Sequence, residues 1–277
     1  MDDHDPDGRA QLLFFSLAQK VWVMLRSLGW ALVGRERFDR LVSAAGLREW
    51  KTRHWQSETT LPDGNRVIYR PHDQCFIDEI YSLRIYDQEN AILPGQTVVD
   101  LGGHIGLFTL YASRKVGSRG RVVVCEPNPH NFALLKRNIG LNDLPHISAH
   151  HCAVAERDGE AEFYIPEGGA DRDNPATSSL YSTQGRRAVK VPLRTLDGLM
   201  REEGIESIDH LKVDVEGAEL DVLKGGEHCL KNTRRIVMEV HPPRVDPGAL
   251  YAYLEERGFQ IKELSKDPLI VEGRRAP

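Results

Sequence analysis

From Thr97 onward, short β-branched apolar runs alternate with stretches whose apolar residues recur at helical spacing, and this alternation constrains the fold more than any other feature. TVVDL (97–101) leads through glycines into a helical stretch from Leu107 to Lys115. RVVVCE (121–126) leads into a helix from Pro129 to Leu141 that carries Phe132, Leu135 and Ile139 at helical spacing. HISAHHCAV (146–154) reads as a third strand, and DHLKVDV (209–215) and RRIVMEV (234–240) as two more, each leading toward a helix over Glu216–Leu223 or Pro247–Arg257. Strands that are apolar along their whole length are buried on both faces, and intervening helices make neighbouring strands parallel. The expected fold is therefore α/β, a doubly wound, mostly parallel sheet. FQIKEL and PLIVE, separated by Ser265-Lys266-Asp267, close it as an antiparallel C-terminal hairpin. EAEFYIP and AVKVPLRTL interrupt the alternation as two extra strands. They are joined by roughly twenty polar residues ending at Arg186 and Arg187, long enough to read as a lid over substrate or cofactor.

The first ninety residues follow a different pattern, and we place the boundary so that residues 1–90 form a helical and hairpin extension and residues 91–277 the main domain. Gln11 to Val33 is the most apolar window, but Ser16, Gln19, Lys20, Arg26 and Ser27 share one helical stripe, which makes the helix amphipathic. Lys20 and Arg26 near its middle would cost several kcal/mol in a membrane span. The helix is expected to cover the main domain or a second copy of the chain; the alternative is a peripheral membrane contact anchored by Phe14, Phe15, Trp22 and Trp30. Asp63-Gly64 between extended runs predicts a hairpin.

Charge and cysteine use narrow the function classes. The chain carries 36 basic and 41 acidic side chains, a net charge of −5, so it lacks the global cationic field that would favour nucleic acid. The four cysteines form no C-x-x-C pair or zinc spacing, and Cys125 and Cys152 fall in apolar runs as buried thiols. The acidic N-terminus does not resemble a secretory signal, so a cytoplasmic location is expected.

Ligands of open parallel sheets bind beyond the carboxyl ends of the strands. The residues that end the strands are Asp100 with LGGHIG, Glu126 with Pro127-Asn128-Pro129, Cys152-Ala153-Val154, Asp214 with Glu216 and Glu219, and Glu239 with His241. Gly102, Gly103 and Gly106 break the G-x-G-x-x-G spacing of a dinucleotide site, and Asp100 beside them would repel a pyrophosphate. A positively charged cofactor without phosphate fits better, and S-adenosylmethionine is one. Glu126, at the end of the second strand, is placed to accept hydrogen bonds from both ribose hydroxyls. The expected cofactor-binding set is Asp100, Gly102, Gly103, His104, Gly106, Glu126, Asn128, Ala153 and Asp214.

VVDLGGHIGLFTLYAS, VVVCEPNPHNFALLKRNIGLN, HCAVAERDGEAEFY and LRTLDGLMREEGIESIDHLKVDVEGAELDVLKGG followed by MEVHP resemble the FkbM-type methyltransferases, with LKVDVEGAE the most specific piece. The resemblance spans roughly residues 75 to 245. It implies a class I, Rossmann-like S-adenosylmethionine-dependent fold and O-methylation of a hydroxyl on a natural product, sugar or lipid-like small molecule; an N-methylated acceptor is the alternative. The family loop reads D-x-G-A-N-x-G, whereas this chain has Gly103-His104. Thr177-Ser178-Ser179-Leu180 matches a serine-containing lid of the family. An alcohol needs a base, and the candidates are His241, Asp214 and Glu239. Three carboxylates and an imidazole could also hold magnesium or manganese. That reading is not favoured, because Glu216 and Glu219 have helix starts to serve. A nicotinamide oxidoreductase would share the sheet and Glu126 but not the glycine spacing, and a non-catalytic module recruited through the N-terminal helix is the remaining class.

Overall fold

A computed structural model describes residues 56–89, 91–166, 180, 186–242 and 244–275. The amphipathic window 11–33 and the 177–179 part of the lid segment lie outside these residues. Two short strands, β1 (Ser57–Thr60) and β2 (Arg66–Tyr69), pair antiparallel around Asp63-Gly64. A compound helical turn follows: a 3-10 turn over Pro71–Asp73, α1 (Gln74–Asp78), and a wider turn over Glu79–Leu83. The main run is β3 (Thr97–Leu101), α2 (Leu107–Val116), β4 (Arg121–Cys125), α3 (Pro129–Gly140) and β5 (Ile147–His150). Next come β6 (Ala153–Val154), β7 (Gly159–Pro166), β8 (Arg186–Arg194), α4 (Leu196–Glu202), β9 (Ile208–Val213), α5 (Glu219–Lys224) and α6 (Glu227–Lys231). β10 (Thr233–Val240), α7 (Pro247–Glu255), β11 (Phe259–Lys266) and β12 (Leu269–Arg275) complete the chain.

Seven strands form one sheet in the order β11-β12-β10-β9-β3-β4-β5. β5, β4, β3, β9 and β10 are mutually parallel, and β12 runs antiparallel between β10 and β11. This is the class I methyltransferase arrangement expected from the sequence, C-terminal hairpin included. The chain leaves β3 toward β4 and β5, then returns to lay β9 and β10 on its other side. The crevice therefore opens beyond the carboxyl ends of β3 and β9.

Both faces of the sheet are buried, which explains the unbroken apolar strands. Val99, Leu101, Val123 and Cys125 point into one cluster with Leu196, Leu223 and Leu250, while Val98 and Val122 point into another with Leu107, Leu110 and Phe108. The second cluster also contains Leu61, Val67, Ile77, Ile80 and Tyr86. The described part of the extension thus shares a core with the sheet across the boundary placed near residue 90. Asn138 fixes the attachment: it accepts from Ile68 N at 2.8 Å and donates to Ile68 O and Ile105 O.

The third expected strand divides. Its first part is β5, but the chain turns off the main sheet and Ala153–Val154 pairs with β8, within a small sheet ordered β6-β8-β7. The helix expected from Glu216 begins only at Glu219, because Glu216 and Gly217 adopt left-handed backbone (φ 57° and 103°). Cys125 and Cys152 are buried and free.

Candidate active site

Immediately after β3, Gly102 (φ 83°) turns the chain, and a Cβ there would stand 1.8 Å from the Asp214 carbonyl oxygen. Only glycine lets this turn lie against the end of β9, an approach that Asp214 N donating to Leu101 O seals at 3.0 Å. Gly106 caps the start of α2. His104 stands where the family has asparagine, at φ 52°, and both residue types tolerate this left-handed region.

Glu126 ends β4 and is 5% exposed. Its Oε2 accepts from His104 N and its Oε1 from Asn128 N, both at 2.8 Å. The Asn131 side chain donates to it as well, and a carboxylate offers about four lone pairs, so acceptor capacity remains for a ligand. Burial pushes its carboxyl up to about 7, against the opposing pull of those two backbone N–H groups. The His104 ring is held by Arg70 at 3.1 Å and packs edge-on against Phe76. Burial drives its pKa down to about 4, so the imidazole is neutral at pH 7. Arg70 in turn forks onto buried Asp73, which fastens the extension to the glycine turn.

Asp100, expected among the cofactor contacts, is fully buried beneath the turn and does not line the cavity. Its side chain accepts from Thr109 Oγ1 at 2.6 Å and faces Lys212 Nζ at 3.1 Å, a charge contact without hydrogen-bond alignment. Lys212 also donates to Gly102 O at 2.9 Å and lies 3.6 Å from Asp214. Burial alone would lower its pKa, but Asp100 and Asp214 raise it instead, keeping the ammonium charged. The negative charge read from the sequence at Asp100 is thus neutralised internally and braces the turn. We expect Lys212→Met to lower the unfolding free energy by about 3 kcal/mol in urea titration, because Asp100 is left buried without its partner.

Asn128 is also displaced from the expected set: its side chain caps α3 by accepting from His130 N and Asn131 N. Neither Asn128 nor Gly106 lines the cavity, whereas Gly102, Gly103, His104, Glu126, Ala153 and Asp214 do.

Also lining the cavity, the buried Tyr86 hydroxyl lies 3.2 Å from Asp214 Oδ2 and 3.1 Å from Glu239 Oε2, and its single proton is shared between the two. Its ring lies under Lys212, with Nζ 5.0 Å from the centroid. Burial, then Asp214, raises the Glu239 carboxyl above the ordinary range. His241, just past β10, donates or accepts through Nδ1 at 2.7 Å from fully buried Glu219 and places Nε2 3.6 Å from both Glu216 and Glu239. Burial opposes its protonation, yet Glu219, Glu216 and Asp214 carry its pKa up to about 9. These acidic neighbours favour the protonated ring, the opposite of what a resting base needs.

Tyr86 and Lys212 were not among the sequence candidates. Lys212 had a signal, a lone cation inside an apolar strand run, which in a buried sheet demands a carboxylate partner. Tyr86 had none, since it sits in an irregular stretch with no periodicity to place it.

The cavity encloses about 450 Å³, enough for a small organic ligand. Glu79, Glu126, Asp214, Glu216 and Glu239 face it, against Lys212 and His241. A pyrophosphate would be repelled by such walls, and a sulfonium with an ammonium group is favoured. Fold and site together define a class I S-adenosylmethionine-dependent methyltransferase. The family model described as "Methyltransferase FkbM domain" matches residues 100–261, and the chain belongs to that family. It is 35% identical over 223 residues to "Methyltransferase sdnD" of Sordaria araneosa, which covers 70% of this chain and 85% of that protein. It is 28% identical over 238 residues to "31-O-demethyl-FK506 methyltransferase FkbM" of Streptomyces tacrolimicus, covering 76% and 90%. It is 26% identical over 182 residues to "2-O-methyltransferase NoeI" of Sinorhizobium fredii, covering 61% and 74%. Among the described residues no helix is long and apolar enough to cross a membrane.

Proposed function

We infer that the protein transfers the methyl group of S-adenosylmethionine to a hydroxyl oxygen of a small-molecule acceptor, with Glu126 holding the ribose and Glu239 taking the hydroxyl proton. The observation that carries this reading is one cavity lined both by the glycine turn with Glu126 and Ala153 and by Glu239, Tyr86, Asp214 and His241. The relatives named as a 2-O-methyltransferase and a 31-O-demethyl-FK506 methyltransferase support oxygen as the acceptor atom. Phe76, Ile80, Phe108, Phe163 and Leu180 also line the cavity, which suits an acceptor with an apolar portion beside its hydroxyl.

The reaction is an in-line displacement. The acceptor oxygen, the methyl carbon and the sulfur align, the O–C bond forms as the C–S bond breaks, and the bonding pair returns to sulfur as its positive charge is lost. Holding both reactants in one water-poor cleft is worth about 7–11 kcal/mol in favourable cases. Glu239 has one oxygen on Tyr86 and the other turned toward His241. Removal of the hydroxyl proton there contributes roughly 10²–10⁴-fold. The test is adenosylhomocysteine production from S-adenosylmethionine across matched hydroxyl and amine acceptors. Turnover with hydroxyl compounds is expected; turnover confined to amines would overturn the oxygen assignment.

A pH dependence follows from Glu126. Ribose hydroxyls donate more strongly to its ionised form, which accepts through both oxygens, so cofactor binding favours the carboxylate and lowers its pKa from about 7. As pH falls below 7 the free site protonates first, and adenosylhomocysteine affinity should drop by up to about tenfold per unit. Glu126→Gln should flatten that slope, as read by calorimetric titration between pH 5.5 and 8; an unchanged slope in the variant would assign it to other groups.

A further inference from the structure

The geometry points to a divalent-cation site formed by Asp214, Glu216 and His241 at the acceptor side of the cavity, and this rests on the methyltransferase reading only for its role. One ligand atom from each of the three lies within 4.8 Å of the other two. An ion binding each at about 2.0–2.2 Å would draw them within about 4.4 Å, a movement of a few tenths of an ångström. His241 Nε2 stands 3.6 Å from both Glu216 and Glu239, too long for hydrogen bonds and close to the spacing of donors around one ion.

The support behind the histidine is independent of that cluster. Its Nδ1 is taken at 2.7 Å by Glu219, whose side chain is fully buried and whose second oxygen has no hydrogen-bond partner. A buried carboxylate on one imidazole nitrogen fixes the tautomer and aims the other nitrogen outward, as in carboxylate–histidine–metal arrangements. Glu216 reaches the site from left-handed backbone between β9 and α5, outside the helix whose start it was expected to serve. Asp214, Glu216, Glu239 and Glu219 also outnumber the nearby cations, Lys212, Arg244 and His241, so a dication relieves repulsion that the cofactor alone leaves at this end.

Two carboxylates suit Mg²⁺ or Mn²⁺, while one imidazole shifts the preference toward the transition metals, so an ion of the Mn²⁺ class fits the set. Such an ion would bind the acceptor hydroxyl through an open position and lower its pKa. The hydroxyl proton would pass to Glu239, the oxygen would take the methyl group, and neutral adenosylhomocysteine would leave.

The probe is Mn²⁺ alone, titrated into the chelator-treated full chain and followed by loss of the free-ion electron paramagnetic resonance signal. Parallel titrations use His241→Ala, Glu216→Gln and Glu219→Gln, with thermal melts to confirm folding. One ion per chain is expected, weakened by at least about tenfold in each variant, while calorimetric adenosylhomocysteine affinity stays within about threefold of wild type. Absence of Mn²⁺ binding at millimolar concentration, or equal binding in all folded variants, overturns the site. Should Glu219→Gln not fold, the other two variants still decide it. Failure of wild type to bind adenosylhomocysteine would instead remove the methyltransferase reading, whatever Mn²⁺ does.

Discussion

Glu126→Ala is expected to raise the dissociation constant for S-adenosylhomocysteine by about 10²–10³-fold. Two hydroxyl donors would lose a charged acceptor, and hydrogen bonds to charged groups are worth about 1.5–3 kcal/mol each. Water entering the shortened side chain's space recovers part of that, leaving about 3–4 kcal/mol, and every 1.4 kcal/mol is tenfold in affinity. The substitution also removes the acceptor for His104 N and Asn128 N. Glu126→Gln, whose amide oxygen can still accept one of these bonds, is therefore the control for folding. Calorimetry on both variants, with melting curves alongside, separates a lost ligand contact from a loosened glycine turn. Equal affinity in wild type and a folded Glu126→Ala would remove the ribose assignment.

Glu239→Gln should lower turnover by about 10²–10⁴-fold, the ordinary contribution of a general base, with adenosylhomocysteine affinity within about threefold of wild type. The amide is nearly isosteric, and its oxygen can still accept from Tyr86, so the Tyr86–Asp214 contact is not disturbed. What disappears is the proton acceptor. The assay is adenosylhomocysteine formation with whichever hydroxyl acceptor turns over best in wild type. Unchanged turnover would move the base elsewhere. Retained turnover in Glu239→Gln together with its loss in His241→Ala would point to the histidine, once deprotonated.

The sheet was legible in the sequence because both its faces are buried. Val98 and Val99 each need an apolar environment on opposite sides, and the same demand writes TVVDL, RVVVC and HLKV as continuous runs. The strand ends then located Glu126, Asp214 and Glu239 without any knowledge of packing. What strand position does not encode is whether a carboxylate faces the ligand or a neighbour. Asp100 ends its strand as Glu126 does, but Lys212 from the adjacent β9 meets it from below, and that pairing depends on the order of strands across the sheet. Tyr86 was hidden for a related reason. It acts 128 residues away from Asp214 in sequence, in a stretch whose placement follows from packing against Phe108 and α2 rather than from any repeat. His241 was found by position, but its charge could not be, since that depends on Glu219 reaching back from the start of α5.

A calorimetric titration of the wild-type chain with S-adenosylhomocysteine, run beside an identical titration with NADH, bears most directly on the acidic cavity. Saturable binding of a single adenosylhomocysteine, with none of NADH, is the predicted result. No heat from adenosylhomocysteine at millimolar concentration, or preferential binding of the pyrophosphate cofactor, would contradict it.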